Sequence, residues 1–318
     1  MDLKNYQPQK EFNKKHLLCL QEYDKDDILQ ILSLALDLKQ KQKAGIPHDL
    51  LKGKSLAMIF SKSSTRTRVS FEVGMHQLGG TPLFLSSNDI QLGRGESIYD
   101  TAQVLSRMVD GIMIRTFLQS DVEGLAKHGT IPVINGLTDD YHPCQILADL
   151  LTIYEHKNAL SGLKLAFLGD GNNVAHSLLI GCSKLGMDVA IGSPKGYEPH
   201  SNIVEWAKAN AKVEGSSVVV TTDPIEAIAD ADVVYTDVWA SMGQEMQRTE
   251  KHKHFTQYQV NSALFAKAKA DAIFLHCLPA HRGEEVTADV IDSPQSVIFD
   301  EAENRLHAQK AVMALLMK

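Results

Sequence analysis

The chain of 318 residues is 44% hydrophobic and 22% charged, an ordinary composition for a soluble globular protein that is long enough for two cores. Its 32 basic and 39 acidic residues give a net charge of −7, which argues against a general nucleic-acid-binding or anionic-membrane surface. The sequence has no apolar run of about 18 residues, no signal-peptide core, and four scattered cysteines without metal-binding spacing. We therefore expect a cytoplasmic protein with reduced thiols.

The first part of the chain alternates between short apolar runs and amphipathic segments. Apolar positions predict a helix over Asp24–Lys43, and the run Ser55–Phe60 predicts a buried parallel strand. Further strands are predicted at Thr81–Leu85, Gly111–Arg115 and Ile131–Ile134, with helices between them. This β/α alternation is typical of an open parallel sheet that helices cover on both faces.

A polar break at Lys157–Gly162 precedes a second alternation, which begins with a predicted strand at Leu163–Leu168. We predict an α/β fold of two domains, each a parallel β-sheet flanked by helices, linked by interdomain helices. The predicted domain boundaries are residues 1–150 and 151–300. The C-terminal helix, residues 301–318, is expected to pack back on the first domain.

The segment Ser61–Arg68 lies where the strand Ser55–Phe60 gives way to a helix, and it is rich in hydroxyl and guanidinium groups. Backbone N–H groups at a helix start point outward with partial positive charge. Arg66 and Arg68 add planar forks that suit phosphate. We interpret this segment as an anion-binding turn; helix capping by Ser64 beside two solvated arginines is the alternative.

A glycine-rich segment, Gly169–Val174, follows a predicted strand and opens a predicted helix, as a dinucleotide-binding loop would. The third glycine position holds Val174, however, and the end of the next strand, Ile191–Pro194, offers no acidic residue for a ribose. We therefore consider NAD binding the weaker interpretation. Asn172 and Asn173 remain candidates for polar groups at a helix start, with simple capping as the alternative.

The segment Thr236–Gly243 leaves the apolar strand Val233–Tyr235. In open α/β sheets ligands bind beyond the carboxyl ends of the strands, so Asp237 and Ser241 are predicted to lie where a substrate binds. A carboxylate at this place favours a cationic ligand group such as an ammonium. A turn-forming aspartate in a tight loop is the alternative interpretation.

Two histidine-containing segments could suggest other chemistry. In Phe274–Pro279, His276 and Cys277 are neighbours on a strand and point to opposite faces, so His276 is a poor candidate for the base of a Cys277 nucleophile. The histidines of Lys251–His254 have no carboxylate or cysteine at metal-ligand spacing, and we predict a solvated face there. No metal site is predicted.

Taken together, four segments resemble the aspartate/ornithine carbamoyltransferase family in order and spacing: Ser64–Arg68, His142–Gln145, Asp237–Gly243 and His276–Pro279. The resemblance covers nearly the whole chain, and the Ser-Met-Gly sequence within Asp237–Gly243 favours the branch that acts on ornithine. The Leu278–Pro279 bond resembles the cis peptide of the family. Relatives often carry Glu where this chain has Ser61.

The resemblance implies two sets of binding residues. Those for carbamoyl phosphate are Ser64, Thr65, Arg66, Thr67, Gln91, Arg115, His142, Gln145, Cys277, Leu278 and Arg305. Those for ornithine are Asn173, Asp237, Ser241 and Met242. Within these sets Arg66, His142, Cys277 and Asp237 are the implied catalytic residues, and Gln91 matches a loop residue that reaches the active site of a neighbouring subunit.

The implied reaction is transfer of the carbamoyl group of carbamoyl phosphate to the side-chain amine of L-ornithine, giving L-citrulline and phosphate in arginine metabolism. It requires no metal, no cofactor and no covalent intermediate, and the family's catalytic unit is a trimer. Alternatives are a different acceptor amine (putrescine, N-acetylornithine or aspartate), a nucleotide-binding oxidoreductase, and a catalytically silent phosphate-binding subunit. The same site serves arginine synthesis and arginine breakdown.

Overall fold

The computed structural model describes residues 2–240 and 248–318. The chain divides into two compact units, one formed by residues 2–151 with 303–318 and the other by residues 152–302. In the part of the chain that is described, no helix combines the length and the apolar character needed to cross a membrane.

The first unit, residues 2–151 with 303–318, contains a parallel sheet of four strands in the order β2-β1-β3-β4. Both central strands are buried along nearly their whole length, which explains why they read as continuous apolar runs. The strands are β1 (Ser55–Phe60), β2 (Thr81–Ser86), β3 (Gly111–Arg115) and β4 (Val133–Leu137). The helices are α1 (Lys25–Lys43), α2 (Thr65–Gln77), α3 (Ile98–Leu105), α4 (Gln119–His128) and the start of α5 (Pro143–Lys157).

In the second unit, residues 152–302, the described strands form a parallel sheet in the order β7-β6-β5-β8-β9. The strands are β5 (Lys164–Leu168), β6 (Asp188–Gly192), β7 (Val218–Thr221), β8 (Val233–Thr236) and β9 (Ile273–His276). The helices are α6 (Asn173–Lys184), α7 (Ser201–Glu214), α8 (Pro224–Ile228), α9 (Arg248–Phe255), α10 (Ser262–Phe265), α11 (Ala288–Ile291) and the start of α12 (Ile298–Leu316). These two sheets flanked by helices confirm the predicted α/β class.

The differences from the predicted elements have local causes. Helices α8, α10 and α11 were not predicted, because helices of four or five residues are too short to show an apolar period. Strand β4 lies further along the chain than the predicted Ile131–Ile134 because it continues through Gly136. A Cβ on Gly136 would lie 2.6 Å from Met113 Sδ, so close packing requires a residue that is otherwise rare in strands.

The C-terminal helix α12 packs closely against α2 within the first unit. A Cβ on Gly74 of α2 would lie 3.1 Å from Lys310 Cγ and 3.2 Å from Met313 Cε, so a glycine lets the two helices approach each other. Ser70 Oγ donates to Gln309 Oε1 at 2.9 Å across the same contact. This packing brings α12 side chains to the start of α2.

His16 and Leu17 of the N-terminal segment are hydrogen-bonded to Val133, the first residue of the edge strand β4. The Val133 N–H donates to His16 Nδ1 at 3.1 Å, and the adjacent Leu17 N–H donates to the Val133 carbonyl at 2.9 Å. Burial lowers the pKa of His16 to about 4. Because this value is below that of an unfolded histidine, the unfolded chain binds the proton more readily, and acidification from about pH 6.5 towards pH 4 should destabilise the fold.

We expect His16→Asn to flatten this pH dependence, because asparagine keeps an acceptor near Nδ1 and gains no proton. The loss of slope should be at most about 1.4 kcal/mol per pH unit, and smaller because the ring is partly solvent-accessible. Urea unfolding at pH 7, 6 and 5 measures the slope, with the exposed His76→Asn as the control. An unchanged slope in His16→Asn would contradict the expectation.

Candidate functional site

The anion-binding turn predicted at the start of α2 lies at the carboxyl edge of the first sheet. Strand β1 ends at Phe60, which pairs with Arg115 at the end of β3, and the Ser61 N–H donates to the Arg115 carbonyl at 2.8 Å. Ser64 caps α2 by accepting the Thr67 N–H at 3.2 Å. The capping alternative is therefore correct for Ser64, and α2 begins within four residues of the Ser61 N–H that donates to Arg115.

Arg305 of α12 joins the starts of two helices within the first unit. Its Nη1 donates to Gln145 Oε1 of α5 at 2.6 Å, and its Nη2 donates to Thr67 Oγ1 of α2 at 3.1 Å. The side chain is only 2% exposed, although most arginine side chains lie at the surface. Thr67, Gln145 and Arg305, all implied carbamoyl-phosphate ligands, thus form one hydrogen-bonded group.

His142 lies beside this group at the start of α5, where Pro143 takes the first helical position, which suits a residue without an N–H. The imidazole is 5% exposed. Burial and the positive charges of Arg305, Arg115 and Arg66 hold its pKa well below the ordinary value, so His142 is neutral at physiological pH. The charges of three guanidinium groups act on this one imidazole, so the local potential favours an anion.

Two residues that hold this group were missed from the sequence. Gln145 Nε2 donates to Asp149 Oδ1 at 2.9 Å, and Asp149 is fully buried. Arg305 Nε donates to Gln309 Oε1 at 3.2 Å. Each partner stands four residues after the residue that it holds, on the same helix face, and this spacing is the signal that could have found both.

In the second unit, Asp237 follows β8 and is held by three donors. Asn172 Nδ2 donates to Oδ2 at 2.8 Å, while the Val238 N–H at 2.8 Å and Cys277 Sγ at 3.1 Å donate to Oδ1. The carboxylate is 8% exposed and therefore well oriented. Such a carboxylate suits an ammonium ligand.

Asn172 has two functions that the sequence did not separate. Its Oδ1 accepts the Val174 and Ala175 N–H groups and caps α6, whereas its Nδ2 orients Asp237. Asn173, an implied ornithine ligand, is the first residue of α6 and is partly exposed. The adjacent Asn172 is thus a positioning residue for Asp237 that the prediction did not include.

Other predicted site residues lie beyond the hydrogen-bonded group of Thr67, Gln145 and Arg305. Cys277 and Leu278, implied for carbamoyl phosphate, lie in the second unit, where Cys277 contacts Asp237. Gln91 is solvent-exposed in the 3-10 helix Gln91–Arg94 of the first unit. Ser241 and Met242 lie outside the described residues.

The glycine-rich segment after β5 has a packing explanation. A Cβ on Gly171 would lie 2.2 Å from Pro199 N, so the backbone of another loop occupies the space beside this glycine. Asp170, in the same segment, forms a buried ion pair with Lys251 of α9. Lys251 is 3% exposed, whereas His252 and His254, for which a solvated face is predicted, are exposed.

Two groups of metal-ligating side chains occur among the described residues: Asp237, His276 and Cys277, and His281, Glu284 and Glu285. The atoms of the first group are engaged with protein partners. Cys277 Sγ donates to Asp237, and His276 Nδ1 accepts the Leu278 N–H at 2.9 Å. The absence of a metal requirement stays a prediction.

Two family models together match most of the chain. Residues 15–155 match the family model described as "Aspartate/ornithine carbamoyltransferase, carbamoyl-P binding domain", and residues 161–316 match the corresponding "Asp/Orn binding domain". An ornithine carbamoyltransferase of Anoxybacillus flavithermus is 62% identical over 95% of this chain and 96% of its own length. An "Ornithine carbamoyltransferase, anabolic" of Pyrococcus furiosus is 59% identical over the same shares.

A solved structure of ornithine carbamoyltransferase from Pyrococcus furiosus superposes with a TM-score of 0.94 at 58% identity. The match covers 97% of this chain and 98% of that one. Because both family models and full-length relatives match, the resemblance in the four sequence motifs is confirmed. The chain belongs to the aspartate/ornithine carbamoyltransferase family.

Proposed function

We propose that this enzyme transfers the carbamoyl group of carbamoyl phosphate to the side-chain amine of L-ornithine, giving L-citrulline and phosphate. The observation that carries the proposal is the electropositive group at the start of α2, in which three arginines act on the neutral His142. A small, highly charged acyl phosphate fits this arrangement. The relatives named above carry the same activity in their names.

We assign residues 2–151 with 303–318 to carbamoyl phosphate. The phosphate group would bind the α2 start, Arg66 and Arg115, where backbone N–H groups and guanidinium forks complement its charge. Arg66, Thr67 and His142 would act on the carbonyl oxygen and stabilise the negative charge that grows there during attack. A neutral His142 can do this by hydrogen bonding without repelling the arginines beside it.

We assign residues 152–302 to ornithine, with Asp237 pairing with the α-amino group and Asn173 with the carboxylate. Ser241 and Met242 complete the proposed ornithine set, while Cys277 and Leu278 keep the assignment to carbamoyl phosphate that the resemblance implies. The side-chain amine must lose its proton before attack, since a free alkylamine has a pKa of about 10.4. Its nitrogen then bonds to the carbonyl carbon, the carbon–oxygen bond to phosphate breaks with its electron pair going to phosphate, and the nitrogen gives up a second proton, which the leaving phosphate can accept.

The test is to offer carbamoyl phosphate with L-ornithine, putrescine, N-acetylornithine or L-aspartate, and to quantify each carbamoylated product and the released phosphate. We expect ornithine to exceed the other amines by about 100-fold or more in kcat/KM, because Asp237 needs a free α-amino partner. N-acetylornithine is the sharpest control, since only that amine is blocked. Product from another amine at a higher kcat/KM, or no product at all, would contradict the proposal.

We also propose that the enzyme is a homotrimer or a multiple of trimers. This is supported by exposed apolar side chains on the first unit, which a second copy could cover: Val69 and Val73 of α2, and Leu83 and Phe84 of the edge strand β2. In such an assembly the exposed Gln91 would reach a neighbouring site. Sedimentation equilibrium should give about three times the chain mass of 35.1 kDa; a single-chain mass would contradict the trimer.

We propose a cytoplasmic location and a role in arginine biosynthesis. The location is supported by four cysteines that are all free thiols, with Cys144 and Cys182 fully buried. The biosynthetic direction is supported by the word "anabolic" in the name of the Pyrococcus furiosus relative. Deleting the gene should produce arginine auxotrophy that citrulline relieves and ornithine does not.

A further inference from the structure

The backbone that follows β9 is held in an uncommon conformation by the side chain of His276. Leu278 has φ +57°, in the left-handed region that side chains other than glycine, asparagine and aspartate seldom adopt. Its N–H donates to His276 Nδ1 at 2.9 Å. The Cys277–Leu278 peptide is planar and trans, so its carbonyl and its N–H point in opposite directions. The hydrogen bond from the Leu278 N–H to His276 therefore also fixes the direction of the Cys277 carbonyl.

The imidazole that accepts this bond is itself fixed by a buried carboxylate. His276 Nε2 donates to Glu285 Oε1 at 3.1 Å, and the His281 N–H donates to the same oxygen at 2.6 Å. Both His276 and Glu285 are almost fully buried. Although burial opposes the charge, the hydrogen bonds from His276 and the His281 N–H hold the pKa of Glu285 below its ordinary value.

These contacts determine the protonation of the ring. Nδ1 must be unprotonated to accept the Leu278 N–H, so the proton lies on Nε2, where the Glu285 carboxylate accepts it. A second buried carboxylate holds the backbone of His276: Glu301 Oε2 accepts the His276 N–H at 2.8 Å, and Glu301 Oε1 accepts the Tyr235 hydroxyl at 3.1 Å. The ring of His276 is therefore hydrogen-bonded to Glu285, and its backbone N–H is hydrogen-bonded to Glu301.

We propose that His276, held in one tautomer by Glu285, is a positioning residue that sets the Cys277–Leu278 backbone for substrate. This inference rests on the proposed function, in which Cys277 and Leu278 are assigned to carbamoyl phosphate. A strained backbone persists only where its surroundings over-determine it, and such positions cluster at ligand sites. Here the hydrogen bonds of Glu285, Glu301 and the His276 imidazole hold the backbone in place. In this role His276 transfers no proton to the substrate.

Two matched pairs of variants test the proposal. His276→Asn keeps an acceptor for the Leu278 N–H near the Nδ1 position but loses the hydrogen bond to Glu285. His276→Gln keeps a donor to Glu285 but loses the acceptor for the Leu278 N–H. We expect kcat/KM for carbamoyl transfer to fall about tenfold more in His276→Gln than in His276→Asn. Glu285→Gln keeps an acceptor for Nε2, and Glu285→Ala does not, so the alanine variant should lose about tenfold more activity than the glutamine variant.

A merely structural role predicts a different pattern. Members of a pair would then lose activity in proportion to the fall in melting temperature, so equal kcat/KM within each pair at similar stability would overturn the proposal. Tyr258→Phe, which removes another hydrogen bond of this unit, from the buried Tyr258 to the Thr222 carbonyl, should leave kcat/KM unchanged. If the His276 variants do not fold, the Glu285 pair decides. Absence of citrulline formation by the unmodified enzyme would instead reject the proposed function.

Discussion

Replacing Arg66 with alanine is expected to lower kcat by about 10²- to 10³-fold, the usual cost of removing a donor aimed at developing negative charge. Arg66 stands in the first turn of α2 and is one of three arginines whose charge lowers the pKa of His142. It is only partly buried, whereas Arg305 is committed to Thr67, Gln145 and Gln309. Arg66 is therefore more exposed than Arg305 to a ligand that binds at the start of α2.

Arg66→Lys separates charge from geometry, because lysine keeps the charge and loses the planar fork. We expect it to recover carbamoyl-phosphate affinity more than kcat. Arg107→Ala is the control, since Arg107 is an exposed arginine of the same unit whose guanidinium bonds Gln103 Oε1. Steady-state kinetics and calorimetric titration of carbamoyl phosphate measure both quantities. Unchanged turnover and affinity in Arg66→Ala would reject the proposed phosphate site.

Asp237→Asn is expected to raise the KM for ornithine about 100-fold, because an amide cannot neutralise the α-ammonium group that the carboxylate pairs with in a largely buried place. The substituted side chain would also present an N–H₂ group towards Asn172 or Cys277, both of which donate to the native carboxylate. Binding of carbamoyl phosphate alone should change little. A loss of affinity is thus expected for ornithine only.

The matched control is Asp271→Asn, an exposed carboxylate of the same unit that pairs with Lys157. Initial rates at varied ornithine, together with calorimetry for carbamoyl phosphate, separate the two affinities. Normal ornithine KM in Asp237→Asn would reject the assignment of the amine. An equal loss of affinity for both substrates would show instead that the substitution disturbs the fold around Asn172.

Much of the candidate site could be predicted because its residues occupy places that parallel α/β sheets define. Ser64 and His142 stand at helix starts, and Arg115 and Asp237 stand at or just beyond strand ends. Strand and helix boundaries follow from local apolar periods, so these places can be read from the chain. Asp149 and Gln309 could have been found from their spacing of four residues, whereas Glu285 was missed because its contact with His276 follows no helix or strand period.

The sequence by itself determined the two parallel sheets and the residue types at their carboxyl edges, because buried strands and helix starts depend on neighbours in the chain. Only the tertiary structure decided how those residues act. Arg305 reaches Thr67 across 238 residues and Gln145 across 160, and Asn172 reaches Asp237 across 65. The neutrality of His142, the burial of Arg305 and the tautomer of His276 come from such contacts, since solvation and charge depend on what packing brings near.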